Sequence, residues 1–301
     1  MTGDHNRSDA QMLVAPHHVH RTRSDQTLLA TARAIDANTS TAEVKQEPTS
    51  DSYYRDHVCG RSMALMRGIE AIRQLETLSA HLYYGVSHDA KFVLREWEFS
   101  ANCVNDAPSS VGFVSLLRDT PADRGRTVEY VGTATLVEIK VCMERLVVSY
   151  VTPEIYKAIR YRGSAPTVLS AHTNVRNYCA PADHARLGLD APDHVAVGHD
   201  RANGHLCVAA DTGNPAYFDH VQDHWPGMVL TEAAIQAAHL HLGRVLPCTA
   251  VRARFDRYLE LSIPVHIEIG DVTESGGLVE LAVGFVQAGS TGASMKLTFE
   301  S

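Results

Sequence analysis

Apolar residues fall into a helical rhythm between residues 62 and 83. Leu65, Ile69, Ile72, Leu75, Leu78 and Leu82 recur there at spacings of three and four. Gly85 supplies a natural stop. Ahead of this helix the pattern predicts short strands around 27–32 and 41–44, and a loop at 48–51. Behind it come strand-like stretches at 92–99, 111–117, 127–141 and 146–151, with turn-rich breaks at 107–110 and 121–125. The second half runs in the same order. Weak strands at 167–171, 194–198 and 205–210 precede a helix that starts after Pro226-Gly227 and stops at Gly243. Strands at 249–259, 263–269, 278–287 and 294–299 follow it.

The two helices also share residues. Glu70-Ala71-Ile72-Arg73-Gln74 in the first is echoed by Glu232-Ala233-Ala234-Ile235-Gln236 in the second. Matched helices inside matched strand orders indicate an internal duplication. It divides the chain into a disordered tail (1–14), a first module (15–153) and a second module (166–301), with the boundary across 153–166. One helix followed by antiparallel strands suits a sheet wrapped around a central helix. Ala233, Ala234, Ala237 and Ala238 permit the close approach this requires. The expected fold class is α+β, a tandem (double) hotdog.

Composition narrows the function. The chain has 301 residues and a net charge of −8, which argues against general nucleic-acid binding. No apolar run is long enough to span a bilayer. The polar start, with no apolar signal core, points to the cytoplasm. None of the six cysteines sits in a C-x-x-C pair, so reduced, mostly buried thiols are expected.

Chemistry concentrates in residues 219–236. Pro226 pre-sets the backbone for a helix start, and Gly227 lets a ligand approach the backbone closely. The free N–H groups of the first turn, at Gly227 and Met228, can hold a developing oxyanion. Glu232 and Gln236 share one helical face. A carboxylate buried among Met, Val, Leu and Ala suits acid–base work, though a structural Glu bonded to Gln236 reads equally from the residues. Asp219-His220 and Asp223-His224 could place an imidazole beside an acyl carbonyl with its tautomer fixed; loop capping is the plainer reading. In the first copy, Glu70, Arg73, Gln74, Thr77 and His81 make a helix face too polar for plain core. Arg73 either binds an anion such as phosphate or pairs with Glu70 or Glu76. Arg252 and Arg254 share a strand face and meet either phosphate or water. Trp225 and Tyr258 line an acyl channel or belong to the core, and Cys59 is a packing residue. His17-His18-Val19-His20 reads as a solvated arm or strand start ahead of a metal site.

Residues 226–236 resemble the central-helix motif of hotdog acyl-carrier-protein dehydratases, although His220 and His224 lie closer to the glutamate than the dehydratase histidine does. A fuller resemblance is to the A-factor biosynthesis family, the γ-butyrolactone autoregulator synthases of antibiotic-producing bacteria. It rests on the Asp-His-x-x-Asp-His-x-Pro-Gly-Met run and Glu-Ala-x-x-Gln helix within 219–236. Val19-His20-Arg21, the Glu-x-x-Arg-Gln at 70–74, Tyr84-Gly85-Val86, and Phe255, Tyr258-Leu259-Glu260-Leu261 and Pro264 add to it. The resemblance spans most of the chain after residue 15, and 166–203 contributes nothing to it.

That resemblance implies an acyltransferase. A β-ketoacyl group on acyl carrier protein would pass to the hydroxyl of dihydroxyacetone phosphate, and the ester would cyclise to a phosphorylated butenolide. The product would lead to a butyrolactone, butenolide or furan signal. Glu232 or an adjacent histidine (His220, or His224 with Asp223) would be the base, with Gln236 beside it. Gly227 and Met228 would hold the oxyanion, and Arg73 or Arg254 the phosphate. Glu70 and Gln74 would support a second pocket. No metal or other cofactor is implied. Other hotdog chemistries, a thioesterase or dehydratase, and a non-catalytic acyl-binding protein are the alternatives. A fused pair fits a monomer (a pseudo-dimer) or a homodimer of such pairs.

Overall fold

The structure is a computed structural model, and it describes residues 11–45, 60–103, 112–119, 126–136, 139–161 and 169–301. The predicted loop at 48–51, the breaks at 107–110 and 121–125, and Cys59 lie outside the described residues, as does most of the predicted tail.

In the first half, strands β1 (Met12–Leu13), β2 (Leu29–Ala34) and β3 (Thr39–Val44) precede helix α1 (Gly60–Leu82). Strands β4 (Lys91–Cys103), β5 (Gly112–Arg118), β6 (Thr127–Leu136) and β7 (Ile139–Val151) follow it. A short helix α2 (Pro153–Tyr161) leads to the second half. There β8 (Cys179–Pro181), β9 (Val197–Asp200) and β10 (Leu206–Val208) precede helix α3 (Gly227–Leu242). Strands β11 (Cys248–Phe255), β12 (His266–Ser275), β13 (Leu278–Gln287) and β14 (Ser290–Glu300) complete the chain.

All the described strands join one antiparallel sheet in the order β1-β2-β3-β5-β6-β7-β4-β11-β14-β13-β12-β10-β9-β8. Each half of that order is the other's mirror. β4 and β11 are the equivalent strands that follow the two helices, and they pair at the centre from Glu96–Arg254 to Ser100–Ala250. The fold is the expected tandem hotdog, two curled sheets fused edge to edge.

Inward-facing residues of β5 to β7, among them Val114, Leu116, Tyr130, Val141 and Met143, are buried around α1. On α1, Leu65, Ile69, Ile72, Leu75 and Leu78 are fully buried. Gly68 allows α1 to approach β7, since a Cβ there would sit 2.5 Å from a Val141 methyl. Helix α3 is buried at every position from Val229 to His239. Such an all-round apolar helix is what the interior of a curled sheet demands. The outer face carries charged pairs instead, such as Arg252 with Glu98 and Lys296 with Glu280 at 2.8 Å.

The duplicated Glu-x-x-x-Gln is a matched pair of clamps. Gln74 accepts from the Leu28 N–H (2.8 Å), donates to the Gln26 carbonyl (2.9 Å) and donates to Glu70 (2.7 Å). Gln236 accepts from the Ala196 N–H (2.7 Å), donates to the His194 carbonyl (2.8 Å) and donates to Glu232 (2.7 Å). Each glutamine thus ties its helix to the segment leading into β2 or β9, the second strand from either edge of the sheet.

Several expectations need correcting. The single strand predicted at 127–141 is all of β6 and the start of β7, which pair antiparallel; the apolar alternation of the sequence does not mark where one ends and the other begins. Residues 170–172 form a 3-10 turn rather than a strand. The strand expected at 249–259 ends at Phe255, and that at 263–269 begins at His266 and continues to Ser275. The tail predicted to reach residue 14 stops short of Met12 and Leu13, which pair with Ala32 and Thr31 of β2. The boundary region holds α2. Of the cysteines expected as thiols, Cys179 and Cys207 form a disulfide between β8 and β10, which flank β9; a sequence separation of 28 gives no hint of that neighbourhood. Cys142 and Cys248 take no part in it. Among the described residues, no helix is long and apolar enough to cross a membrane.

Replacing Gln236 with Ala leaves the Ala196 N–H buried without its partner, while the His194 carbonyl keeps the Tyr217 hydroxyl. The expected cost is about 1–3 kcal/mol for the one orphaned group. Denaturant unfolding measures it, and a loss under about 0.5 kcal/mol would show that the clamp is not structural.

Candidate active site

Five segments from both halves enclose a cavity of about 880 Å³. The polar face of α1 contributes Glu70, Arg73, Gln74 and Thr77, and β4 contributes Lys91, Phe92, Leu94 and Trp97. The turn before β2 supplies His20 and Arg21, and α2 supplies Tyr156, Lys157 and Tyr161. The second half closes the cavity with His220, Asp223, His224 and the start of α3 at Pro226, Gly227 and Met228.

Residue-level contacts explain why the second half reaches the first. Gly227 lies against β4 and β11, where a Cβ would meet Leu94 at 2.8 Å, Phe255 at 3.2 Å and Trp97 at 3.3 Å. A larger residue there would require these side chains to give way. Pro226 is extended, with φ −64° and ψ 145°, and no side chain caps the helix. The first-turn N–H groups therefore remain for a ligand at the positive end of the helix dipole. The approach loop is tied to the first half by Asp219, whose carboxylate accepts from the Thr22 N–H at 2.6 Å.

Asp223 and His224 form a hydrogen-bonded dyad. His224 Nδ1 lies 2.6 Å from Asp223 Oδ1, so a neutral His224 leaves Nε2 bare. Tyr156 (3.0 Å) and Tyr161 (2.9 Å) also donate to Asp223. Burial alone would raise the Asp223 pKa, but the bonds from His224 and the two tyrosines outweigh it and hold the carboxyl well below the usual range. Behind the dyad, Arg160 forks onto Glu260 (2.8 Å from Nη2), lies 4.8 Å from the Tyr258 ring centroid and donates to the Asp223 carbonyl. The Tyr258 ring meets His224 edge-on at 4.8 Å.

Across the cavity, Glu70 accepts from Arg21 and from Gln74. Arg73 pairs with Glu76 at 2.8 Å, one of the alternatives its spacing left open. Burial raises the Glu76 pKa, against the pull of Arg73 and Tyr150. Burial also lowers the pKa of His220, helped by Arg21 and opposed by Asp219.

The grouping differs from the one the sequence suggested. His220, Asp223, His224, Gly227 and Met228 come together, but with Glu70, Arg73 and Gln74 of the first copy. Glu232 and Gln236 are not among the residues lining this cavity; they lie deeper along α3, buried in the second module's own clamp. Arg254 is a second correction. It sits on the exposed outer face of β11, pairing with Asp256 at 3.3 Å and Glu96 at 3.9 Å. Trp225 is core, 5.8 Å from the Phe218 ring. His20, Arg21 and Lys91 were not singled out as site residues, although His20 and Arg21 sit in one of the resembling motifs. Tyr156, Lys157, Arg160 and Tyr161 were missed inside the presumed boundary, where the i, i+4 spacing of 156 with 160 and of 157 with 161 marks one side of a helix.

A family model described as the A-factor biosynthesis hotdog domain matches residues 3–142 and 192–300. The chain is 32% identical over 220 residues to a 2-oxo-3-(phosphooxy)propyl 3-oxoalkanoate synthase of Streptomyces griseus, covering 69% of this chain and 68% of that protein. It is 29% identical over 207 residues to the synthase of the same name from Streptomyces virginiae, covering 66% and 68%. Among solved structures it is similar to an acyl-ACP thioesterase from Bacteroides thetaiotaomicron, at 9% identity and a TM-score of 0.47 over 87% of this chain and 98% of that one. The dehydratase domain of RzxB from Pseudomonas fluorescens gives 11% identity and a TM-score of 0.47 over 87% and 94%.

Because the Asp223 pKa is depressed in the fold, its stabilising contribution is full above the ordinary carboxylate value of about 4 and fades as the pH falls below it. Asp223→Asn is expected to cost about 1–3 kcal/mol at pH 7, as for hydrogen bonds to a charged group, and less at pH 3. Urea midpoints at the two pH values read the difference. An equal gap at both would contradict the bonding described for Asp223.

Proposed function

This chain belongs to the A-factor biosynthesis hotdog family, and from that footing we propose that it transfers a 3-oxoacyl group from a thioester to the hydroxyl of dihydroxyacetone phosphate. The relatives' names describe such an ester, whose alcohol half is dihydroxyacetone phosphate. The observation that carries the reading to this chain is the composite cavity. It joins a bare helix N-terminus, an Asp–His dyad and a clamped glutamate to the cations Arg73, Lys91 and Lys157. The thioester is carried by acyl carrier protein, and the work is done in the cytoplasm by a chain whose two modules, split as 15–153 and 166–301, satisfy each other.

His224 Nε2, with Asp223 fixing the tautomer, takes the hydroxyl proton as the oxygen attacks the thioester carbonyl. The resulting oxyanion sits at the N–H groups of Gly227 and Met228. Collapse expels the thiolate, which takes the proton back from His224. Glu70, held by Arg21 and Gln74, faces the reacting groups as the second proton acceptor. In the ester, a methylene lies between two carbonyls within reach of the acceptor's ketone. Loss of water then closes a phosphorylated butenolide, the precursor of a lactone or furan signal.

Mass spectrometry of a 3-oxoacyl thioester incubated with the protein is expected to show the phosphorylated ester, or its dehydrated ring, only when dihydroxyacetone phosphate is present. Free acid formed without it means hydrolysis, and an untouched thioester means binding alone; conversion of a 3-hydroxyacyl thioester, supplied separately, to an enoyl thioester means dehydration. Each overturns the reading. His224→Asn and Glu70→Gln should each lower kcat by about 10²–10⁴, the usual worth of general acid–base catalysis. Glu232→Gln should leave kcat within about tenfold. The reverse ranking would return the chemistry to the second copy.

A further inference from the structure

The two copies are close enough in structure that their differences mark what the cavity has acquired. In each copy a 3-10 turn before the clamp ends on a left-handed residue. In the second copy that residue is Gly188, with φ 67°. In the first it is His20, with φ 53°. A side chain in that region is strained, and such strain is kept where surrounding contacts hold it and a function uses it. One position before the clamp glutamine, the first copy has Arg73 and the second Ile235. Two positions after it, the first has Glu76, the partner of Arg73, and the second has Ala238. The strained histidine and the paired arginine occur together, in the copy that faces the cavity.

His20 is wired in a definite tautomer. His81 Nδ1 lies 2.9 Å from the Val86 carbonyl, which only accepts, so Nδ1 carries the proton. The Nε2 of a neutral His81 is then an acceptor, and His20 Nε2, 2.7 Å away, must donate to it. That leaves His20 Nδ1 without a protein hydrogen bond among the described residues, on a ring that lines the cavity. Phe92 meets the ring edge-on at 4.9 Å. The charged and titratable groups facing it are His81 and Arg73 from α1, Lys91 from β4 and His220 from the approach loop. Burial and these neighbours hold His20 down to about 4, hence neutral at physiological pH. Glu70, one turn before Arg73, is already committed to Arg21 and Gln74. Asp219, beside His220, accepts from Thr22. Arg73 gives Nη1 to Glu76 and keeps the rest of its fork, while Lys91 makes no ion pair among the described residues.

Arg73 and Lys91 are cations, the half-buried His20 can take a proton on Nδ1, and the neighbouring acids are committed elsewhere; such a group suits a dianion. We propose that His20, Arg73 and Lys91 form the subsite for the acceptor's phosphate, with His20 Nδ1, the nitrogen His81 does not use, as one contact. The identity of the acceptor rests on the function proposed above, but the phosphate chemistry does not. An anion placed among these groups favours the charged form of His20, which takes a proton on Nδ1 and donates it to a phosphate oxygen. Its Nε2 still donates to His81, so the wiring is unchanged.

Isothermal titration calorimetry of the full chain tests this, with inorganic phosphate and dihydroxyacetone phosphate at pH 7 in two buffers of different ionisation enthalpy. Wild type should bind both. Net proton uptake is read with dihydroxyacetone phosphate, a phosphate monoester with a second pKa of about 6 and so mostly a dianion at pH 7; inorganic phosphate, largely singly charged there, releases protons of its own and reports affinity alone. His20→Asn should abolish the uptake and weaken binding about tenfold or more, as the loss of a charge-assisted contact does. Lys91→Gln should weaken it similarly, and because Lys91 is exposed it leaves the fold intact even if Arg73→Gln does not. Arg254→Gln on the outer face should change nothing. Failure of wild type to bind phosphate, absence of uptake, or variant affinities within twofold of wild type would each overturn the subsite. If acyl transfer is absent while phosphate binding keeps this residue dependence, the proposed reaction fails alone; if transfer occurs while the variants bind normally, the subsite fails alone.

Discussion

Everything in this molecule hangs on the pairing of β4 with β11. Those two strands follow the two helices in the chain, and their antiparallel ladder from Glu96–Arg254 to Ser100–Ala250 fuses two curled sheets into one. The ladder sets the start of α3 against Leu94 and Trp97 of the first half. From there the approach loop of the second half falls across the polar face of α1. A site that neither module holds alone is the direct result.

The duplication then makes two halves with the same scaffold and different tasks. Both keep the glutamine clamp, because each helix needs its flanking segment tied down and buried backbone groups need partners. Beyond the clamp they diverge. The first copy places Arg73, Glu76 and His20 where the second has Ile235, Ala238 and Gly188. The second supplies the dyad and the bare helix start, and α2 with its tyrosines braces that dyad from the seam between the halves. Binding of an anion and activation of a hydroxyl are therefore assigned to opposite walls of one cavity.

Much of this was legible in the sequence. The helical period of 65–82 and the repeated Glu-x-x-x-Gln gave both helices and the duplicated fold, since burial in a curled sheet demands that pattern. The Pro226-Gly227 start and the Asp223-His224 pair were legible as local chemistry. What could not be read was which glutamate shares a cavity with them. Glu232 is four residues from Met228 along the chain, yet it is Glu70 that lines the cavity of the dyad. The 127–141 segment was read as one strand because its apolar alternation does not mark where β6 ends and β7 begins. The Cys179–Cys207 disulfide depended on strands brought together only by the fold.

The central claim is that one composite site, shared by the first copy's helix and the second copy's loop, does the chemistry. A crystal structure of the full chain soaked with dihydroxyacetone phosphate tests it most directly. The account places the ligand between Glu70 and His224, with its phosphate beside Arg73 and its hydroxyl within hydrogen-bond reach of His224 Nε2. Ligand bound next to Glu232, with the Glu70 cavity empty, would contradict it.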